Sequence, residues 1–259
     1  MCSSDLAVRA GEKWSFGHFR SELGINEIDR EVRELYLPSS YDWPNQAVLY
    51  VPKTLPDPTR PDFIKAAADE MERILEVSQG RAFLLFTSYR NLDAAWRILS
   101  DRLPWPLLRQ GEAPKSELLE QFRADEHSVL FATQSFWEGV DVAGQSLSCV
   151  VIDKLPFASP GDPLLSARLD RLKAKGGNPF NDHQLPTAVI SLKQGLGRLI
   201  RSREDYGILA VLDGRLHTKN YGRTFIASLP PAPLMTDLAE VRGFFARREG
   251  KDPAGRGGR

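Results

Sequence analysis

Five short runs constrain the fold of this chain more than any other feature. "AVLYV" (47–51), "AFLLF" (82–86), "SVLFAT" (128–133), "SCVVID" (148–153) and "GILAVLD" (207–213) are nearly continuous apolar segments bounded by turn or polar residues. A strand with one wet face alternates apolar and polar residues. These runs do not, so both of their faces must be covered. Longer stretches with helical spacing lie between them. "PDFIKAAADEMERILEVS" opens on Pro61 and repeats apolar residues at Phe63, Ala67, Met71 and Ile74, which predicts a helix. "YRNLDAAWRILSDRL", "APKSELLEQFRAD" and "PTAVISLKQGLGRLIRS" also read as helices, and "WPLLRQG" reads as a further short strand. Strands and helices that alternate in this way predict an α/β domain with a mainly parallel sheet flanked by helices.

We place that domain at residues 41–240. Residues 1–40 are mixed and polar, apart from an amphipathic stretch from Ile28 to Leu35, and the Gly- and Arg-rich end, 241–259, reads as a flexible basic tail. The formal net charge is zero, so any affinity for nucleic acid must come from a local basic groove rather than a global field. The two cysteines, Cys2 and Cys149, are too few for the four ligands of an iron–sulfur cluster, and Cys149 sits in an apolar run as a core thiol would. The four histidines, His18, His127, His183 and His217, show no zinc-type spacing, so no metal ligand set is expected. No apolar run reaches transmembrane length and no signal peptide is visible, which makes a cytoplasmic protein the expectation.

The most information-rich stretch is "QGLGRLIRS", Gln194 to Ser202. On a helical wheel with Gln194 at zero, Arg198 falls near about 40° and Arg201 near about −20°, so all three share one face. Val189, Leu192, Leu196, Leu199 and Ile200 fall on the opposite side. Gly195 and Gly197 each cost on the order of 1 kcal/mol in a helix interior, and Gly197 borders the polar stripe, where a missing side chain would permit close approach. A solvated polar face leaves the paired glycines unexplained. A dinucleotide fingerprint needs a third Gly or Ala where Ile200 stands, and it belongs at the start of a helix. Two forked guanidinium groups aimed at a phosphate account for more of the pattern.

Gln-x-x-Gly-Arg-x-x-Arg resembles motif VI of the superfamily 2 helicases, and "QGLGRLIRS" is similar to its form in the DinG and XPD branch. "TQSFWEGVDVAG" (133–144) resembles motif V of that branch, and "LLFTSYRNL" (84–92) resembles motif IV. "IDKLPFASPGDPL" resembles the segment that follows motif V. The three motifs stand in the family's order, and the resemblance covers about residues 40–230. It implies the second RecA-like lobe of an ATP-dependent DNA helicase that moves 5′ to 3′ on single-stranded DNA. By resemblance, Arg198 and Arg201 reach the phosphates of ATP bound on the first lobe, and Gln194, Gly197, Glu138, Gly139 and Asp141 bind ATP or couple it to the DNA site. Thr87, Ser88, Tyr89, Arg90, Thr133, Ser135, Phe136, Trp137 and Lys154 line the nucleic-acid track. Taken without the resemblance, Ser88 or Thr87 can equally cap the following helix, the Glu138–Asp141 stretch can be an ordinary turn, Trp137 can be core, and Lys154 can be a surface lysine.

A phosphate-cradling Gly-x-x-x-x-Gly-Lys-Ser/Thr loop and an acidic magnesium motif are not found in the chain. The resemblance therefore assigns ATP and Mg2+ binding to the first lobe of the same protein, which would also carry any iron–sulfur cluster. "FGHFRSELG" (16–24) is similar to the family's sequence just after motif III. Residues 1–40 are accordingly expected to be a remnant of the first lobe and a linker, the chain a fragment, and "MCSSD" foreign to the gene. By itself such a chain should hydrolyse essentially no ATP. A stand-alone nucleic-acid-binding module without catalysis is the alternative of a different class, and a dinucleotide-binding oxidoreductase is a more remote one.

Overall fold

The computed structural model describes residues 7–10, 13–29, 31–37, 39–133, 136, 147–158 and 161–250. Seven strands form one sheet: β3 (Ala47–Tyr50), β4 (Ala82–Phe86), β5 (Leu107–Arg109), β6 (Val129–Thr133), β7 (Cys149–Ile152), β8 (Gly207–Val211) and β9 (Leu234–Met235). Their order is β5-β6-β4-β7-β8-β3-β9, and every neighbouring pair is parallel. The α/β architecture expected from the apolar runs is the one observed. A separate antiparallel hairpin, β1 (Val8–Ala10) and β2 (Lys13–Ser15), precedes the sheet.

Side chains of the central strands alternate between two cores. Leu49, Phe83, Leu85, Leu130, Val150, Ile152 and Leu209 pack on one face, and Val48, Leu84, Phe86, Phe131, Val151, Ile208 and Ala210 on the other. The first face is covered by α5 (Lys115–Ala124), α7 (Leu185–Leu196), α8 (Arg215–Thr218) and α9 (Gly222–Ser228). The second is covered by α3 (Phe63–Ser78), α4 (Tyr89–Leu99) and α10 (Leu238–Arg248). The predicted apolar repeat of α3 is the buried one: Phe63, Ala67, Met71 and Ile74 are all at most 2% exposed. Burial of Cys149 in β7 pushes its thiol up to about 12, so it is a core residue and an inert thiol.

Four segments differ from the sequence reading. The helix expected to run through Ser202 ends at Leu196. Gly195 and Gly197 weaken its last turn, and Leu199 and Ile200, each 2% exposed, fold the chain back onto the core. The stretch that resembles the segment after motif V, for which the sequence predicts no helix, leads into α6 (Pro163–Ala174), whose first turn is capped by Asp162 accepting from the amides of Leu164 and Leu165. Residues 241–248, taken as the start of a tail, belong to α10, because Val241, Phe244 and Phe245 bury against α3 and the sheet. Residues 7–10 and 13–22 pack on the lobe: the Arg9 amide donates to Ser228 Oγ at 2.9 Å, and Lys193 Nζ donates to the Ala7 carbonyl at 2.8 Å.

Gly207 opens β8 where its neighbour leaves no room. A Cβ there would stand 2.1 Å from the carbonyl oxygen of Ser148, which itself accepts from the Ile208 amide at 2.9 Å. Gly207→Ala should destabilise the fold by about 3 kcal/mol. A fall in the urea midpoint with an unchanged slope would show this, and a midpoint equal to wild type would refute the packing argument.

Candidate functional site

In a parallel sheet the loops leaving the carboxyl ends of the strands gather along one edge, where α/β proteins place ligands. Two aspartates organise that edge here. Asp153, the first residue after β7, is fully buried. Its Oδ1 accepts from the amides of Thr87 (2.9 Å) and Lys154 (2.8 Å), and its Oδ2 accepts from Asn91 Nδ2 (2.7 Å) and Thr87 Oγ1 (3.4 Å). Burial pushes the carboxyl up to about 6, against the lowering effect of the hydrogen bonds from Asn91, Thr87 and Lys154 and of the Lys154 charge. Asp213, just after β8, accepts from the Leu155 amide at 2.8 Å and from Arg215 through its amide, Nε and Nη2. Arg215 also lies over the Phe157 ring at 5.7 Å. These two carboxylates tie the loops after β4, β7 and β8 together.

A third junction sits toward β5. Gln110 Oε1 accepts from the Thr133 amide (2.7 Å) and hydroxyl (3.0 Å), and its Nε2 donates to Tyr89 Oη at 2.8 Å. Ser88 Oγ caps α4 by accepting from the Asn91 amide at 3.3 Å. The candidate track residues therefore fall into classes. Tyr89 and Arg90 are exposed, and Ser88 and Lys154 are half-buried at the same edge. Thr87 gives its amide to Asp153, and Thr133, 6% exposed, gives both its donors to Gln110. Phe136 is 3% exposed within the core, with Lys115 Nζ 5.1 Å from its ring centroid, so it packs instead of presenting a face to a ligand. Ser135, Trp137, Glu138, Gly139 and Asp141 lie outside the described residues.

The arginines of "QGLGRLIRS" are elsewhere. β3 and β8 begin in register, Ala47 beside Gly207, and the segment that follows α7 is anchored to the residues just before β3. Tyr41 Oη donates to the Arg201 carbonyl at 2.7 Å, and Gln46 Nε2 donates to the carbonyls of Ser202 (2.8 Å) and Asp205 (2.9 Å). Asp205 Oδ2 accepts from the amides of Arg201 and Ser202, each at 2.7 Å. The Arg201 backbone thus sits at the amino-terminal edge of the sheet. The Thr87–Lys154 group sits at the opposite edge, roughly 15 Å away across a five-residue strand. Arg198 and Arg201 are half-buried there, and Gln194, also half-buried, lies in the last turn of α7, which ends at Leu196 just before Gly197. Gly197 takes an ordinary φ of −65°, and its amide donates to the Lys193 carbonyl at 2.8 Å. An added Cβ would stand 3.0 Å from that same oxygen. The glycine is therefore accounted for first by the tight helix end.

Sequence reasoning missed Asp153, Asp213, Asn91 and Gln110. "VVID" and "AVLD" each end an apolar strand on a carboxylate, and that recurrence was the available signal. Gln110 carried none, because its partners Tyr89 and Thr133 come from other strands. Among the described residues, His18, Glu22 and His183 bring ligand atoms within 4.8 Å of one another, although sequence spacing showed no metal set.

A seven-stranded parallel sheet with helices on both faces and loops clamped at its carboxyl edge defines a RecA-like α/β lobe. Over residues 71–232 the chain matches the family described as Helicase C-terminal domain, and it belongs to that family. It is 46% identical over 229 residues to the ATP-dependent DNA helicase YoaA of Escherichia coli strain K12, an overlap of 88% of this chain and 35% of that protein. It is 41% identical over 236 residues to the ATP-dependent helicase DinG of Mycobacterium tuberculosis strain H37Rv, covering 90% of this chain and 35% of that protein. The chain thus spans about a third of these curated relatives. An XPD structure in its apo form superposes with a TM-score of 0.59 at 21% identity over 74% of this chain and 40% of that one, a likeness of fold. No helix among the described residues is long and apolar enough to cross a membrane.

The raised carboxyl of Asp153 has a signed consequence. Its folded-state value, about 6, lies above the ordinary carboxylate value of 3.8. The stability it contributes is complete below the unfolded value and is lost as pH rises through about 6. The unfolding free energy of the wild type minus that of Asp153→Asn should be larger at pH 5 than at pH 7 by about 1 kcal/mol. Urea titrations of both proteins at the two pH values measure it, and a difference that does not change with pH would refute the assignment.

Proposed function

We propose that this chain is the C-terminal motor lobe of a DinG-like ATP-dependent DNA helicase, and that its two sheet edges divide the work. The observation that carries the reading is the Gln194–Arg201 segment, anchored at one edge of a helicase-family lobe, with exposed and cationic residues at the other. The relatives' names, as ATP-dependent DNA helicases, support ATP and DNA as the ligands of the intact protein.

At the amino-terminal edge, Arg198 and Arg201 offer two guanidinium forks whose charge and planarity match phosphate oxygens. The donor set fits a polyphosphate presented by the first lobe of the same protein. ATP bound there, with Mg2+ held by that lobe, supplies the phosphoanhydride whose hydrolysis drives the motor. The residues of this chain position charge. Asp205, Tyr41 and Gln46 hold the backbone of residues 201–205 rigid, so the Arg201 side chain starts from a fixed point. An arginine placed in this way contributes about 10³ to 10⁵ in rate by stabilising charge on the transferring phosphoryl group. Gln194 and Gly197 precede it in the same segment, and by the family resemblance Glu138, Gly139 and Asp141 would couple ATP to the DNA site.

At the carboxyl-terminal edge, Ser88, Tyr89, Arg90 and Lys154 form one wall of a track for single-stranded DNA, and by the family resemblance Ser135 and Trp137 would contact the same strand. Thr87, Thr133 and Phe136 shape that wall from beneath. Exposed Tyr89 supplies a stacking face, and Arg90 and Lys154 supply phosphate contacts. The family's direction of movement, 5′ to 3′, extends to this protein on the same reading.

Two experiments test it. The purified chain should show no DNA-stimulated ATP hydrolysis; turnover that disappears in Arg201→Ala would overturn the two-lobe division. In fluorescence anisotropy with oligo-dT, Arg90→Ala and Lys154→Ala should each weaken binding and flatten the plot of log affinity against log salt by about 0.7. Slopes equal to wild type in both variants would remove that edge from the track.

A further inference from the structure

Outside both edges, the N-terminal segment and the approach to α7 bring together two histidines and a carboxylate. His18 and Glu22 lie one turn apart on the same face of α1 (Gly17–Glu22), and His183 belongs to a π-helical turn, Phe180–Gln184, that runs directly into α7. Glu22 Oε1 stands 3.1 Å from His183 Nδ1, and the two imidazole rings meet edge to face with centroids 5.5 Å apart. One ligand atom from each residue lies within 4.8 Å of the other two. We propose that His18, Glu22 and His183 form a binding site for a divalent transition ion of the zinc class, completed by water.

The donor set is two imidazoles and one carboxylate, a combination that suits zinc and its neighbours and disfavours calcium or magnesium. A tetrahedral ion with bonds of about 2.1 Å needs its donors about 3.4 Å apart. One pair already meets that spacing, and side-chain rotation closes the rest. The surroundings arrange the ligands as metal sites do. His18 Nδ1 faces the Asp182 carbonyl oxygen at 3.2 Å. A carbonyl only accepts, so Nδ1 carries the hydrogen and Nε2 keeps its lone pair. Thr187 Oγ1, 3.1 Å from Nε2, donates to it and turns aside when an ion arrives. Arg168 pairs with Glu22 Oε2 and leaves Oε1 directed at His183. The hydrogen that His183 Nδ1 shares with Glu22 is the one an ion would displace.

An ion bound here would pin α1 to the turn that enters α7, the helix whose last turn carries Gln194. It would therefore stabilise the placement of the N-terminal segment over the helix that carries the paired-arginine segment. This inference does not depend on the proposed ATP or DNA contacts.

The test uses the whole 259-residue chain, stripped with a chelator and titrated with Co2+ and then Zn2+. One equivalent of Co2+ should give visible d–d absorption without the intense thiolate-to-metal band of cysteine ligation, and Zn2+ should displace it and raise the melting temperature. His18→Asn and His183→Gln should each lower Zn2+ affinity by about tenfold or more and remove the thermal shift, with circular dichroism unchanged. Glu22→Gln, at an exposed position, gives the same readout should either histidine variant fail to fold. The absence of a saturable cobalt band, a thiolate band, or affinity unchanged in the folded variants would each overturn the site.

Discussion

The carboxylates of Asp153 and Asp213, buried at the carboxyl ends of adjacent central strands, are the constraint on which the ligand-facing side of this lobe depends. Each replaces lost hydration with several protein donors, and those donors come from different loops. The loop after β4 thereby becomes rigid with respect to the loop after β7, and the loop after β7 with respect to that after β8. A buried charge held by one partner alone would be costly. Spread over backbone amides, an asparagine and an arginine, it fixes three loops that the apolar strands beneath could not orient, because hydrophobic packing carries no direction.

This arrangement gives the two threonines of the carboxyl edge a structural role. Thr87 and Thr133 resemble phosphate contacts on a linear sequence, but their donors are already taken by Asp153 and Gln110. Their work is to hold a surface on which Tyr89, Arg90 and Lys154 stand. Ser88 caps α4 at the same place, so the helix's amino terminus stays at that edge.

Much of the fold was legible because parallel strands buried on both faces announce themselves as unbroken apolar runs. Helices α3, α4 and α5 followed from spacing alone. What escaped had local signals overruled by tertiary ones. The polar–apolar wheel of Gln194 to Arg201 correctly sorted Leu192, Leu196, Leu199 and Ile200 into the core, yet the last two reach it from a non-helical chain after the glycines end α7. Residues 241–248 look like the start of a tail because of the arginines and glycines beyond them, while Val241, Phe244 and Phe245 decide their burial. Gln110 and the His18–Glu22–His183 cluster depend on contacts between distant segments, which spacing cannot express.

The early end of α7 also explains why paired glycines suit a segment that must present arginines. A helix continued through Ser202 would carry Arg198 and Arg201 on a rod whose direction is set by its own axis. Breaking it at Gly197 transfers that control to the sheet: Leu199 and Ile200 dock into the core, Tyr41 and Gln46 grip the following turn from the base of β3, and Asp205 closes that turn from within. The position of the Arg201 backbone then follows the sheet, the same body that carries Asp153 and Asp213 at its far edge. Lys193, buried one residue before Gln194 between the Ala7 carbonyl and the Trp14 ring, adds the N-terminal hairpin to that body. A displacement at either edge is therefore transmitted through packed strands and not through a flexible helix end.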